Sequence, residues 1–118
     1  MPKTFIVIRT QFTAFHKWLA APDIVAFLRY PHRHVFHVEI KYLVGHDDRD
    51  REFFIEKERL ENYIGVRYHQ HIYNKEEVPE LSCEMIAKDI ATKFEADYVS
   101  VFEDNENGAE YYRTFEPR

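Results

Sequence analysis

The sequence predicts an α+β domain in which a four-stranded antiparallel sheet carries two helices on one face. Two long segments near the N-terminus alternate apolar and polar residues, which is the period of a strand. Two helical segments follow, and an Asn-Gly hairpin signal lies between two further strand segments near the C-terminus. The predicted element order is therefore ββααββ, and we expect residues 1–118 to form one domain.

The two long strands are predicted over residues 3–16 and 34–44. In the first strand, one face carries Ile6, Ile8, Phe12, Ala14 and His16. In the second, the same alternation starts at His34 and continues through Phe36 and Val38. Between them, residues 17–31 are expected to form a long loop, and loops of this length in small domains are usually functional.

The helices are predicted from apolar residues at helical spacing. The first, over residues 54–66, carries Leu60 and Ile64 on one side. The second begins after Ser82, which is a favourable N-cap residue. Its apolar side is formed by Ile86, Ile90 and Phe94 at positions i, i+4 and i+8.

The last hairpin is predicted from a strand over residues 98–103, a turn at Asn107-Gly108 and a strand over residues 109–115. A four-stranded sheet has two open edges, and such edges are often closed by pairing with further copies of the chain. We therefore expect a homo-oligomer.

Composition excludes several classes of protein. Hydrophobic residues make up 45% of the chain, which is enough for a core. The net charge of −5, with scattered basic residues, disfavours a nucleic-acid partner. The sequence has no secretory signal and no apolar run near the roughly 18 residues of a membrane span. With a single cysteine, Cys83, this predicts a soluble cytoplasmic protein without a membrane partner.

Three of the seven histidines are candidate metal ligands. His32 and His34 form a His-x-His at the start of the second strand, so their side chains project to one side. His16 ends the first strand, and antiparallel pairing would bring all three imidazoles together. A fourth coordination position would then remain for substrate or water, as in catalytic zinc sites. The alternative is that these are surface histidines beside Arg29 and Arg33.

Several segments together resemble one known family. Phe12-Thr13-Ala14-Phe15-His16, followed by the loop and His32-Arg33-His34, is similar to the F-x-A-x-H and H-G-H motifs of 6-pyruvoyltetrahydropterin synthase and of 6-carboxytetrahydropterin synthase, an enzyme of queuosine biosynthesis. Further similar segments are Glu52-Phe53-Phe54 before Leu60, Ser82 to Ala87, and Val99 to Glu103. The resemblance therefore extends over nearly the whole chain.

This resemblance implies the tunnelling fold, a homohexamer with ligand pockets between subunits, and a Zn²⁺ ion on His16, His32 and His34. It also implies that Glu103 accepts hydrogen bonds from the N–H edge of a pterin. The alternative for Glu103 is a solvated acid beside Asp104 and Glu106.

The sequence departs from the family at the proton-transfer groups. The family's loop cysteine is absent from residues 27–31, and Gln70 stands where the resemblance places the histidine of an Asp-His dyad. His69 or His71 could replace that histidine by a shift in register, or could be exposed. Arg33 replaces the glycine of H-G-H, and could bind an anionic substrate or point to solvent. With Arg29 and Lys17 it could hold a triphosphate.

Cys83 is the remaining candidate for a nucleophile or base. It is predicted at the first position of the second helix, where the helix dipole favours a thiolate, whereas burial would favour the thiol.

Three hypotheses about function remain open. The first is a zinc-dependent lyase acting on 7,8-dihydroneopterin triphosphate or a related pterin. The second is a non-catalytic protein that binds a pterin or purine nucleotide through Glu103. In the third, the histidines are incidental to a structural oligomer.

Overall fold

The computed structural model describes residues 2–68 and 78–113. It confirms the α+β class and the ββααββ order. The elements are β1 Thr4–His16, β2 His32–Val44, α1 Phe53–Arg67, α2 Cys83–Phe94, β3 Tyr98–Glu103 and β4 Asn107–Tyr112. The predicted loop also contains a 3₁₀ helix, Asp23–Arg29, which is interrupted at Val25. Within the described ranges, no helix has the length and apolar character needed to cross a membrane.

The sheet has the strand order β1-β2-β3-β4, and all neighbouring strands are antiparallel. In the β1–β2 register, His16 lies opposite His32, and Ala14 lies opposite His34. In the β2–β3 register, Phe36 lies opposite Glu103. The end of β1, the start of β2 and the end of β3 therefore meet at one end of the sheet.

Both helices pack on one face of the sheet, as predicted. The residues of that face alternate with the outward-facing ones, and they form a single core with the apolar sides of the helices. Its members include Phe36, Ile40, Tyr42, Leu60, Ile86 and Ile90. Burial of apolar surface, worth about 25 cal/mol per Å², is the main source of stability in such a layer. Towards the end of the sheet where the three strands meet, this apolar face ends in histidines.

The starts of the helices explain their boundaries. The Ser82 hydroxyl accepts a hydrogen bond from the Met85 N–H at 3.2 Å, which confirms Ser82 as the N-cap of α2. The Glu52 carboxylate accepts from the Phe54 and Ile55 N–H groups, each at 3.1 Å, and α1 therefore starts at Phe53. β2 starts two residues earlier than predicted, so that His32 also belongs to the strand.

The predicted turn at Asn107-Gly108 is wrong. The chain reverses at Asp104 and Asn105, whose φ angles are 53° and 59°. The Glu106 N–H donates to the Glu103 carbonyl oxygen at 2.9 Å and closes this turn. Asp and Asn are the side chains that best tolerate the left-handed region, so this pair competes successfully with the Asn-Gly signal. β4 accordingly starts at Asn107 and ends at Tyr112.

Gly108 is needed for close packing within the strand. A Cβ atom at this position would lie 2.1 Å from the Val101 carbonyl oxygen and 2.6 Å from Phe102 Cα. Both neighbours are backbone atoms, so the strand would have to shift to admit a side chain.

We expect Gly108→Ala to lower the free energy of unfolding by about 1–3 kcal/mol, the range for overpacked sites. Gly65 in α1 is the matched control, because a Cβ there has no neighbour within 4 Å. Gly65→Ala should raise the free energy of unfolding by up to about 1 kcal/mol. Urea unfolding of both variants measures the difference, and equal effects of the same sign would contradict the packing argument.

Candidate metal centre

His16, His32 and His34 converge at the end of the helix-covered face. Their ring centroids are 4.4 Å apart for His16 and His32, 5.3 Å for His16 and His34, and 5.1 Å for His32 and His34. One ring nitrogen from each residue can be chosen so that all three lie within 4.8 Å of one another. The three side chains are thus close enough to hold one metal ion, as the sequence predicted.

Each of the three imidazoles is oriented through Nδ1. The partners are the Leu81 carbonyl oxygen at 2.6 Å from His16, the Tyr30 carbonyl oxygen at 2.8 Å from His32, and the Asp104 carboxylate at 2.6 Å from His34. Carbonyl and carboxylate oxygens accept hydrogen bonds, so Nδ1 carries the proton and donates in each case. In the neutral imidazole, Nε2 then has a free lone pair. Metal-binding histidines are usually oriented in this way.

His16 Nε2 is buried and has no hydrogen-bond partner among the described residues. It lies 3.1 Å from Glu103 Oε2, but without the geometry of a hydrogen bond. Leaving a buried polar atom unsatisfied costs about 1–3 kcal/mol. A cation bound at this position would satisfy the nitrogen, and the residues present therefore fit a metal ion.

The surroundings of His16 favour its neutral form, which is the form that binds metals. Burial lowers the pKa of His16 and outweighs the hydrogen bond to the Leu81 carbonyl, which raises it. The rings of His16 and His34 both meet the Phe36 ring edge-on, with centroids 5.3 and 6.0 Å away. Phe36 thus provides an apolar contact to the rings of both His16 and His34.

Asp104 is a part of the site that the sequence did not reveal. Besides accepting from His34, its carboxylate accepts from the Val35 N–H at 3.0 Å, and its own N–H donates to the Val35 carbonyl at 2.7 Å. The hydrogen bond from His34, followed by that from Val35, lowers the pKa of Asp104. Asp104 is therefore an ionised acceptor that positions the imidazole. Only the β2–β3 register could have indicated this role, because it brings residue 104 beside residues 34 and 35.

Glu103 lies within the histidine cluster and not apart from it as a solvated acid. Its Oε2 is 3.1 Å from His16 Nε2, and its Oε1 is 3.6 Å from His34 Nε2. The side chain is 28% exposed. One carboxylate therefore faces both the histidines and the open space beside them.

A cleft of about 510 Å³ opens beside the cluster, a size that suits a small-molecule ligand. Its wall is formed by the start of α2, the loop after β1, the end of β3 and the start of β4. The lining residues are His16, Lys17, Trp18, Leu28, His32, Glu80, Leu81, Ser82, Cys83, Glu84, Met85, Glu103, Asn107 and Gly108. Among these described residues, Lys17 is the one lysine or arginine, against three glutamates.

Cys83 is the first residue of α2 and lines the cleft. Burial, followed by the charges of Glu103 and Glu84, raises the pKa of its thiol to about 12. Burial and nearby carboxylates thus outweigh the helix dipole, and Cys83 holds its proton at neutral pH.

The structure does not bring the predicted arginines to the cleft. Arg33 is exposed and follows the strand alternation to the face of β2 opposite His32 and His34. Arg29 donates to the Ala21 carbonyl at 2.8 Å and pairs with Asp23 at 2.6 Å. The expected triphosphate site of Arg33, Arg29 and Lys17 is therefore not assembled within the described chain.

His69 and His71, the predicted alternatives to the dyad histidine, lie outside the described residues. Their role in proton transfer stays a prediction.

Comparison with known proteins does not identify a family. No protein-family model matches the sequence, and no curated protein matches it. The interpretation of the site therefore depends on its own geometry.

The pKa of Cys83 leads to a test by alkylation of the metal-free protein. At pH 8 we expect iodoacetamide to react with Cys83 far more slowly than with a free cysteine, whose pKa is about 8.5, because the thiolate is the nucleophile. Glu103→Gln removes the largest charge effect on the thiol, and should lower the pH at which the rate rises. A rate already saturated at pH 8 would contradict the raised pKa.

Proposed function

We propose that this chain is a zinc protein that binds a pterin, or a heterocycle with a similar N–H edge, in the cleft beside the metal. The observation that carries the proposal is the arrangement of the three histidines, with each Nδ1 anchored to an acceptor and each Nε2 free for a ligand bond. Three neutral imidazoles and one further position are the donor set of catalytic zinc sites.

In this proposal, the cleft residues bind and orient the heterocycle. The Glu103 carboxylate faces the cleft and would accept hydrogen bonds from two ring N–H groups. Asp104 would hold His34 in position and keep its proton on Nδ1. Zinc, when bound, would supply a Lewis acid for an oxygen of the ligand.

The reaction that we propose is that of a pterin synthase-like lyase acting on 7,8-dihydroneopterin triphosphate or a related pterin. The motifs that resemble this family support it, together with the histidine geometry. Such a reaction needs a group that removes a proton and a group that returns one. Cys83 holds its proton at neutral pH and would serve as the donor, while His69 and His71 remain the candidates for the base.

One observation favours a second candidate, a non-catalytic protein that binds a pterin or purine nucleotide. Among the described residues of the cleft, the thiol that could have acted as the base has a pKa raised to about 12. A protein without a base would still bind the heterocycle through Glu103.

We also propose that the chain forms a homo-oligomer, with a hexamer as the expected assembly. β1 and β4 are the two edge strands of the sheet, and edges are common sites of strand pairing between copies. Residues from a second copy would then complete the cleft, including the cations that a triphosphate needs.

Elemental analysis tests the metal. Protein purified without a metal-binding tag should contain about one zinc per chain, and His16→Ala, His32→Ala and His34→Ala should each lose most of it, because three ligands become two. His37 lies in β2 on the opposite face, so His37→Ala is the matched control and should retain zinc. Zinc content that survives all three single substitutions would contradict the site.

Calorimetric titration and a turnover assay with 7,8-dihydroneopterin triphosphate test the ligand and the reaction. We expect the zinc-loaded protein to bind this pterin, and Glu103→Ala to weaken binding at least tenfold, since two charge-assisted hydrogen bonds are lost. Consumption of the bound pterin supports the lyase, whereas binding without consumption supports the second candidate. Absence of binding to the zinc-loaded protein would contradict both.

A further inference from the structure

The position of the Glu103 carboxylate suggests more than a contact to a bound heterocycle. Its two oxygens lie 3.1 Å from His16 Nε2 and 3.6 Å from His34 Nε2. In a tetrahedral zinc site with bonds of about 2.0–2.1 Å, neighbouring ligand atoms lie about 3.4 Å apart. The two observed distances lie on either side of that value.

The contact with His16 cannot be explained as a hydrogen bond. His16 donates from Nδ1 to the Leu81 carbonyl, so neutral Nε2 offers a lone pair, and the carboxylate oxygen offers another. Two acceptors at 3.1 Å repel each other unless a cation lies between them. His16 Nε2 correspondingly has no hydrogen-bond partner in the described part of the chain.

We infer that Glu103 is the fourth ligand of the metal when the cleft is empty, so that the resting site has three histidines and one carboxylate. This inference rests on the proposed metal site and adds a ligand to it. A heterocycle that enters the cleft must then compete with the metal for the same carboxylate. Binding of the heterocycle to Glu103 would therefore open a coordination position on the metal. By linkage, the metal and the heterocycle would each change the other's affinity for the protein.

The other carboxylates nearby have different roles. Asp104 accepts from Nδ1 of His34, which places it behind the imidazole and away from Nε2. Glu80 accepts from the Leu19 N–H at 2.8 Å. Glu84 lines the cleft but is exposed at the start of α2. Glu103 is the carboxylate that is found against two of the three histidine Nε2 atoms.

Cobalt(II) is a suitable probe, because its visible absorption reports coordination number and ligand type. Glu103→Gln preserves the size of the side chain and removes its charge. We expect this variant to bind Co²⁺ at least tenfold more weakly in competition with a chelator, and to show a changed visible spectrum. Glu84→Gln is the matched control for charge in the same cleft, and should change neither.

Azide provides a second readout that does not depend on metal affinity. Glu103 should block the fourth position in the wild type, so azide should bind to Co²⁺ in Glu103→Gln at least tenfold more tightly. Glu103→Asp keeps the charge but shortens the reach, and should alter the Co²⁺ spectrum as well. It serves in place of Glu103→Gln if that variant does not fold, as judged by circular dichroism of the metal-free protein.

The outcomes separate this inference from the proposed metal site. If wild type binds Co²⁺ and the spectrum and azide affinity of Glu103→Gln equal those of wild type, Glu103 is not a ligand, although the histidine site stands. A weaker Co²⁺ affinity with an unchanged spectrum would assign Glu103 a purely electrostatic effect, and would also overturn the inference. If wild type binds no metal, the histidine site itself fails.

Discussion

The antiparallel register between β1 and β2 is the constraint on which the rest of the site depends. It sets His16 opposite His32 and Ala14 opposite His34, and so brings the histidines of the two strands together. A shift by one residue would turn every side chain of a strand to the other face of the sheet. The core residues that precede the histidines in the same alternation prevent such a shift, because it would expose Ile8 and Phe36 to water. Hydrophobic burial thus fixes the position of polar ligands.

The helix-covered face of the sheet changes from apolar to polar within a few residues, where the histidines begin. Each buried polar group there needs a hydrogen-bond partner. Two backbone carbonyls, of Leu81 and Tyr30, and one carboxylate, of Asp104, satisfy the three Nδ1 atoms. His16 Nε2 is left without a hydrogen-bond partner among the described residues, and a ring nitrogen from each of the three histidines lies within 4.8 Å of the other two. Burial lowers the pKa of His16, so the fold holds this imidazole in the neutral state that a metal requires.

Electrostatics at the start of α2 show how local and tertiary effects compete. A cysteine at a helix N-terminus is stabilised as thiolate by the dipole, whose contribution at this range is typically about 0.3–1 kcal/mol. Burial and the nearby Glu103 carboxylate act in the opposite direction on Cys83 and prevail. One carboxylate therefore influences both the thiol and the histidines. A substitution of Glu103 is therefore expected to affect both the thiol and the histidine cluster.

The sequence by itself determined the six main elements, because alternation and helical spacing record which side of each element is buried. It also indicated the three histidines, since two lie at i and i+2 of one strand and the third ends its partner. The hairpin turn was misplaced, because two residues in the left-handed region decide it and the Asn-Gly pair lies in β4. Asp104 as a partner of His34 and the raised pKa of Cys83 were decided by tertiary structure alone. Each depends on the distance between segments far apart in sequence, and that distance is set by strand register and helix packing.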